Sequence, residues 1–126
     1  MLFRVPVICA TGMMLLAACA PDRPSSSAAE CLPVTAGVGE AQPRVTVSAR
    51  DDRFEPACIN APGEGEITLL VRNEGRHPHN LTLADGDSVS VDSAQVAFLT
   101  ARVGREGLSY VCTIHPGMRG HITVRP

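Results

Sequence analysis

Residues 110–118 read Tyr-Val-Cys-Thr-Ile-His-Pro-Gly-Met and place a thiol, an imidazole and a thioether at three-residue intervals. These side chains belong to Cys112, His115 and Met118. Thiolate and thioether sulfurs are soft ligands, and one cysteine with two histidines and a weak axial methionine is a donor set that suits copper. The stretch supplies this set except for one histidine, so another part of the chain must provide it.

A second histidine is available upstream, where residues 73–83 read Asn-Glu-Gly-Arg-His-Pro-His-Asn-Leu-Thr-Leu. This stretch begins as a turn and continues as a strand that alternates polar and apolar residues. Two histidines flank Pro78. His79 directly precedes Asn80 and opens the strand, which favours it as the ligand. His77 is then a surface residue or a weaker additional metal contact.

Short alternating runs separated by turns extend from Arg44 to the C-terminus and predict an all-β sandwich. Ile67, Leu69 and Val71, for example, lie on one face of one predicted strand. Residues 95–103 form the longest run, which predicts a strand, with a short helix near residues 93–98 as the alternative. We assign residues 44–126 to one domain. Residues 19–43 are rich in Pro, Ser, Ala and Gly and predict a flexible tether, with a frayed N-terminal strand over part of the same stretch as the alternative.

Residues 1–18 have the pattern of an export leader, with Arg4 near the start, an apolar stretch, and small residues before Cys19. The apolar stretch is too short to span a bilayer. Residues 16–19, Leu-Ala-Ala-Cys, resemble the lipobox of bacterial lipoproteins. We therefore expect lipid on Cys19, a membrane anchor, and a place in the bacterial cell envelope, in the periplasm or on the outer face of the membrane. An ordinary secretory leader cut at a neighbouring alanine is the alternative.

The five cysteines divide into different roles if the chain is exported, because thiols outside the cytoplasm tend to oxidise. Cys9 leaves with the leader and Cys19 takes lipid. Cys31 and Cys58 form a disulfide, and Cys112 stays free to bind metal. A bridge from Cys112 to either of the other two would abolish the metal site and is the competing arrangement.

The net charge of −2 gives no indication of nucleic-acid binding, and all eleven basic residues are arginines.

The sequence resembles the cupredoxins, the plastocyanin and azurin family, with amicyanin and plastocyanin nearest in pattern. Both metal-binding stretches take part in the resemblance, which covers roughly residues 45–124. Four motifs carry it: Phe54-x-Pro56, Asn73-x-Gly75, Pro78-His79-Asn80 and Cys112-x-x-His115-x-x-Met118. Residues 105–107, Arg-Glu-Gly, depart from the family, in which a Pro-Gly turn is common before the next strand.

The resemblance implies a Greek-key sandwich of about eight strands and one type 1 copper ion, with His79, Cys112, His115 and Met118 as ligands. It also implies that Asn80 and Thr113 hydrogen-bond across the site and stiffen the surroundings of the thiolate. Redox protein partners would dock near His115.

We therefore interpret the chain as a monomeric, lipid-anchored carrier of single electrons that is not an enzyme. The first alternative is an envelope protein that buffers or delivers copper with the same ligands. The second is a metal-free sandwich that serves as an interaction module.

Overall fold

The computed structural model describes residues 30–125, and these form an all-β fold in which no helix occurs. The fold class predicted from the alternating pattern is confirmed, and residues 93–98 do not form the alternative helix. Ten strands follow one another: β1 (Leu32–Pro33), β2 (Arg44–Ala49), β3 (Phe54–Glu55), β4 (Cys58–Ala61), β5 (Gly65–Asn73), β6 (His79–Leu83), β7 (Ser88–Val91), β8 (Val96–Val103), β9 (Leu108–Val111) and β10 (Arg119–Val124).

The strands form two mixed sheets. One sheet has the order β1-β4-β10-β9-β6-β7, and the other has the order β3-β2-β5-β8. In β5 every second residue from Ile67 to Asn73 is buried, as expected for a strand with one face on the core. The core lies between the inner faces of the two sheets and consists mainly of valine, leucine, isoleucine and alanine.

The structure has two strands more than the predicted eight, and two of the ten, β1 and β3, are only two residues long. A two-residue strand shows no measurable alternation, so the sequence pattern could not reveal it. Leu32 of β1 pairs in parallel with Ile59 of β4, and Val34 is buried with 5% exposure. Part of the segment predicted to be a tether, residues 19–43, is therefore strand.

The predicted disulfide between Cys31 and Cys58 is present and joins the start of β1 to β4, with Cα atoms 4.6 Å apart. Cys112 is the free cysteine of residues 30–125. The predicted leader and lipid-bearing Cys19 lie outside the described residues. Within the described part of the chain, no helix is long and apolar enough to cross a membrane.

Three neighbouring strands of the larger sheet position the candidate site. β9 and β10 are antiparallel partners, with Val111 opposite Arg119, and residues 112–118 connect them at one end. β6 lies on the other side of β9, where Leu83 pairs with Tyr110. The start of β6 and the 112–118 loop consequently meet at one end of the sandwich.

Tyr110 of β9 supports this end of the sandwich from within the core. It is buried, its ring packs edge-on against Phe54 with centroids 5.4 Å apart, and its hydroxyl donates to the Pro56 carbonyl at 2.9 Å. Burial raises the pKa of the Tyr110 hydroxyl, so it remains a donor. The ring lies directly over Gly120 of β10, where a Cβ atom would overlap it.

Candidate metal centre

The loop between β9 and β10 is closed by its own backbone. The Cys112 amide donates to the Met118 carbonyl at 2.9 Å, and the Met118 amide donates to the His115 carbonyl at 2.8 Å. These bonds draw the two ends of residues 112–118 together and bring the side chain of Cys112 towards that of His115. The three-residue spacing of the motif is therefore the spacing of a tight turn.

Three of the four predicted ligands meet at this end of the sandwich. Ligand-type atoms of His79, Cys112 and His115 all lie within 4.8 Å of one another. The Cys112 Sγ atom is 3.9 Å from His79 Nδ1 and 3.8 Å from His115 Nδ1. His79 and Cys112 are buried, and His115 is half-buried.

This geometry fits a bound metal ion. Bonds of about 2.3 Å to sulfur and about 2.0 Å to nitrogen, as zinc makes, place the two ligand atoms about 3.7 Å apart when they spread at about 120°. The two observed sulfur–nitrogen distances, 3.9 and 3.8 Å, are close to that value. A soft thiol with two imidazoles matches the donor preference of copper.

Met118, the fourth predicted ligand, is 1% exposed and belongs to the hydrophobic core cluster. The backbone of Met118 closes the loop that carries Cys112 and His115, so all three side chains extend from one loop. Thioether sulfur is a weak, polarisable donor that tolerates an apolar environment.

Asp51 is a site residue that the sequence did not reveal. It lies in the turn between β2 and β3, and its Oδ1 atom is 3.4 Å from His79 Nε2. The same oxygen accepts the backbone amides of Arg76 at 2.8 Å and His77 at 3.2 Å. Desolvation opposes ionisation, but these amides and the His79 ring outweigh it and lower the pKa of Asp51.

The segment before His79 is held by a buried asparagine. Asn73, 1% exposed, donates through Nδ2 to the carbonyls of His77 at 2.8 Å and Val91 at 2.9 Å. Its Oδ1 atom accepts the Gly75 amide at 2.8 Å. A Cβ on Gly75 would overlap the Asp51 carboxylate, so a larger residue here would have to displace Asp51.

Asn80 and Thr113 join the start of β6 to the 112–118 loop through hydrogen bonds. Asn80 Nδ2 donates to Thr113 Oγ1 at 2.7 Å, and the Thr113 amide donates to Asn80 Oδ1 at 2.8 Å. The Asn80 amide lies 3.5 Å from the Cys112 sulfur and donates towards it. These contacts extend the β6–β9 pairing into the loop and restrict movement of Cys112 relative to His79.

The remaining two histidines lie outside the group. The His77 ring centroid is 6.4 Å from that of His115, whereas the His79 ring centroid is 4.8 Å from it. The structure thus places His79, rather than His77, beside Cys112. His121 is an exposed residue of β10, and its ring contacts Cys58.

Comparison with known proteins now identifies the family. Residues 8–124 match the model of the cupredoxin-like domain. The chain belongs to the cupredoxin-like domain family. No curated protein matches it.

Solved structures share this cupredoxin fold at low sequence identity. Reduced auracyanin from the photosynthetic bacterium Roseiflexus castenholzii is 13% identical with a TM-score of 0.57, over 66% of this chain and 97% of that one. Amicyanin from Paracoccus versutus is 19% identical with a TM-score of 0.53, over 73% and 91%. A chain of a heme-copper terminal oxidase dimer is 16% identical with a TM-score of 0.61, over 73% and 69%.

Membership of the cupredoxin-like family supports copper as the metal and, in general terms, a role as an electron carrier. Because these solved structures are less than 25% identical to this chain, they support its fold but not the roles of its individual residues. The roles of individual side chains in this cupredoxin-like domain therefore rest on the geometry described above.

Proposed function

We propose that this chain is a type 1 copper protein that carries single electrons between redox partners in the bacterial cell envelope. One observation carries the proposal: a buried thiol has imidazole nitrogens at 3.8 and 3.9 Å, and these come from a loop and a strand far apart in sequence. Under this proposal Cys112, His79 and His115 hold one copper ion, with Met118 as the weak axial donor.

Bound copper would supply a one-electron couple between Cu(I) and Cu(II), and fast transfer requires that the ligands move little between the two. The protein provides this rigidity. Asn80 ties the Cys112 loop to β6, and Asp51 holds the outer nitrogen of His79. Burial of Cys112 and His79 excludes water from the thiolate, which limits its oxidation.

His115 is the proposed point of electron entry and exit. His79 is 1% exposed and Cys112 is fully buried, whereas His115 is half-buried at the surface. Ile114 beside it is 55% exposed and gives this surface an apolar character. A redox protein partner that docks there comes close to the copper ligands without any opening of the fold.

We further propose that the chain is exported and anchored through lipid on Cys19, after removal of residues 1–18. The Cys31–Cys58 disulfide supports export, because disulfides persist chiefly in oxidising compartments. We also propose that the chain acts as a monomer. In this role it transfers electrons and catalyses no reaction by itself.

The visible absorption spectrum of the protein with Cu(II) tests the central claim. We expect an intense blue thiolate-to-copper band, and we expect its loss in Cys112→Ala. A protein that binds Cu(II) without this band would contradict a type 1 site.

A second measurement separates electron transfer from copper delivery. Electron self-exchange that is fast while the copper is retained supports the carrier. Transfer of the ion itself to a copper-binding acceptor, with slow self-exchange, would instead support a protein that delivers copper.

A further inference from the structure

A second group of sulfur and imidazole side chains lies on the larger sheet, apart from the copper ligands. The side-chain donor atoms of Cys31, Cys58 and His121 lie within 4.8 Å of one another, and His121 Nε2 is 3.1 Å from Cys58 Sγ. These are again soft donors. The two sulfurs are joined as a disulfide, and metal ligation by cysteine requires the thiolate.

The backbone register, rather than the disulfide alone, holds these three residues in a row. β4 lies between β1 and β10 in the sheet, and Cys58 is the direct partner of His121. Leu32 is the partner of Ile59, so Cys31 continues that register opposite Cys58. Neighbouring strands are about 4.8 Å apart, so the side chains remain adjacent if the sulfur–sulfur bond opens.

The row faces outward, where small molecules can reach it. Ile59 and Ile122 are buried, whereas Cys58 is half-buried and His121 is exposed, because alternate residues of a strand face opposite sides. The row forms part of a surface hollow that is also lined by Glu30, Pro56, Ser109 and Arg119.

We infer that reduction of the Cys31–Cys58 disulfide creates a second metal site, in which the two thiolates and His121 bind a soft ion such as Cu(I) or Zn(II). A dithiol supplies two electrons and two protons. The sulfur–sulfur bond breaks, both cysteines become thiols, and the dithiol is oxidised to its own disulfide. On metal binding the two thiols release their protons, and two metal–sulfur bonds and one metal–nitrogen bond form.

The site has a structural consequence beyond the proposed electron transfer. The disulfide joins β1 to β4, and a metal ion on the same sulfurs would restore that link and add β10 to it through His121. In the reduced protein the metal would then add to the strand pairing that already holds β1 on β4. The arrangement makes metal binding at this surface depend on the redox state of one bond.

Binding of Cd(II) to the full chain carrying Cys112→Ala tests the inference, because that substitution removes the first site's thiolate and leaves the second group intact. The variant is reduced with a dithiol, freed of reductant without oxygen, and titrated while thiolate-to-cadmium absorption is recorded. We expect one additional ion to bind after reduction, compared with the oxidised sample.

The matched control is the same chain with His121→Gln added. Loss even of an outer-shell partner weakens metal binding by about 10- to 100-fold, so loss of a ligand should weaken it by at least about tenfold. All other cysteines of the protein are common to both variants, so the difference between them belongs to His121. Equal Cd(II) affinities in the two variants, or no gain on reduction, would overturn the inference.

A third comparison keeps the test valid if Cys112→Ala does not fold. The chain with Cys112 intact is compared with His121→Gln alone, and the affinity for each Cd(II) ion bound after reduction is measured. We expect His121→Gln to bind one of these ions at least about tenfold more weakly, and equal affinities would overturn the second site. Because the proposed copper site can fail while this difference persists, the two proposals fail separately.

Discussion

The two nitrogens of His79 face different partners. Nδ1 lies 3.9 Å from the Cys112 sulfur, and Nε2 lies 3.4 Å from the Asp51 carboxylate. A histidine that binds metal through one nitrogen usually donates the other N–H to an acceptor, which sets the tautomer and the orientation of the ring. Asp51 is therefore a positioning residue for His79.

Replacing Asp51 should weaken copper binding. In Asp51→Ala, His79 loses its acceptor and the amides of Arg76 and His77 lose theirs, so we expect copper affinity to fall by about 10- to 100-fold. The measurement is a competitive titration against a chelator of known affinity. Asp52→Ala is the matched control, because Asp52 is exposed and pairs with Arg53 at the surface. Equal losses in the two variants would contradict the role of Asp51.

Replacing Met118 should change the reduction potential of the bound copper, whereas the free energy of unfolding should change little. In Met118→Leu the volume of a buried side chain is nearly kept, so the free energy of unfolding should change by less than about 1.5 kcal/mol. Cu(II) prefers more ligands than Cu(I), so loss of the axial donor should raise the potential, and the harder amide oxygen of Met118→Gln should lower it. Voltammetry of the copper-loaded variants measures both shifts. Potentials that match the wild type in both variants would remove Met118 from the ligand set.

The local sequence indicated which side chains cluster at the candidate site. It did not indicate which residues hold those side chains in place. Its position before Asn80 and a strand favoured His79 over His77, and in the structure His79 lies beside Cys112. Asp51 lies 28 residues before His79, in a turn rich in charged residues where an acid usually faces solvent. Only the pairing of distant strands brings it to the site, and no local pattern encodes that contact.

At the level of elements, the β9–β10 pair depends on close contact between Tyr110 and Gly120, which are direct partners in the ladder. The aromatic ring covers the glycine, and any side chain there would have to displace it. The same two strands carry the loop with three of the proposed ligands. The glycine therefore supports the site without touching it.

Gly120→Ala should destabilise the fold, whereas Gly104→Ala should not. We expect a loss of about 1 to 3 kcal/mol for Gly120→Ala, because a rigid buried ring must shift. Gly104 has open space around the corresponding Cβ position, so its substitution should change the free energy by less than about 0.5 kcal/mol. Urea denaturation measures both values. A similar change in the two variants would mean that the Tyr110 contact relaxes without cost.

The disulfide should contribute substantially to stability, because it closes a long segment of chain. Because Cys31 and Cys58 are 27 positions apart in sequence, the entropy of the unfolded chain predicts a loss of about 3 to 4 kcal/mol when the bridge is removed. Either Cys31→Ser or Cys58→Ser should cause the same loss as the double variant, since each breaks the same bond. Urea denaturation at equilibrium gives these values, and single losses that add up would contradict this account.

The strands that sequence predicted best are those with one face on the core. β5 alternates over its full length, and its burial follows that alternation. The sequence pattern favoured a tether over β1 and did not separate β3 from β4, because pairing with β4 and β2 creates β1 and β3 from two residues each. Their existence depends on tertiary contacts, which a local pattern does not contain.

For the whole molecule, metal binding and folding should be coupled. The proposed ligands His79 and Cys112 are 33 residues apart, and only the folded chain brings them together. A ligand that binds the folded state at a hundredfold excess over its Kd stabilises it by about 2.7 kcal/mol. We therefore expect copper to raise the Tm by about 10 to 20 °C in a scanning experiment. Cys112→Ala should show a much smaller shift, and an equal shift would place the stabilising metal elsewhere.

The candidate site is divided between one loop and one distant strand, and this division also affects the order of events during refolding. Cys112, His115 and Met118 lie within seven residues of chain, so they can approach one another early in refolding. His79 joins them only after β6 has paired with β9, and contacts between distant segments generally form slowly. If copper is present during refolding, the rate at which the blue colour appears would report that strand-docking step, separately from the collapse of the core.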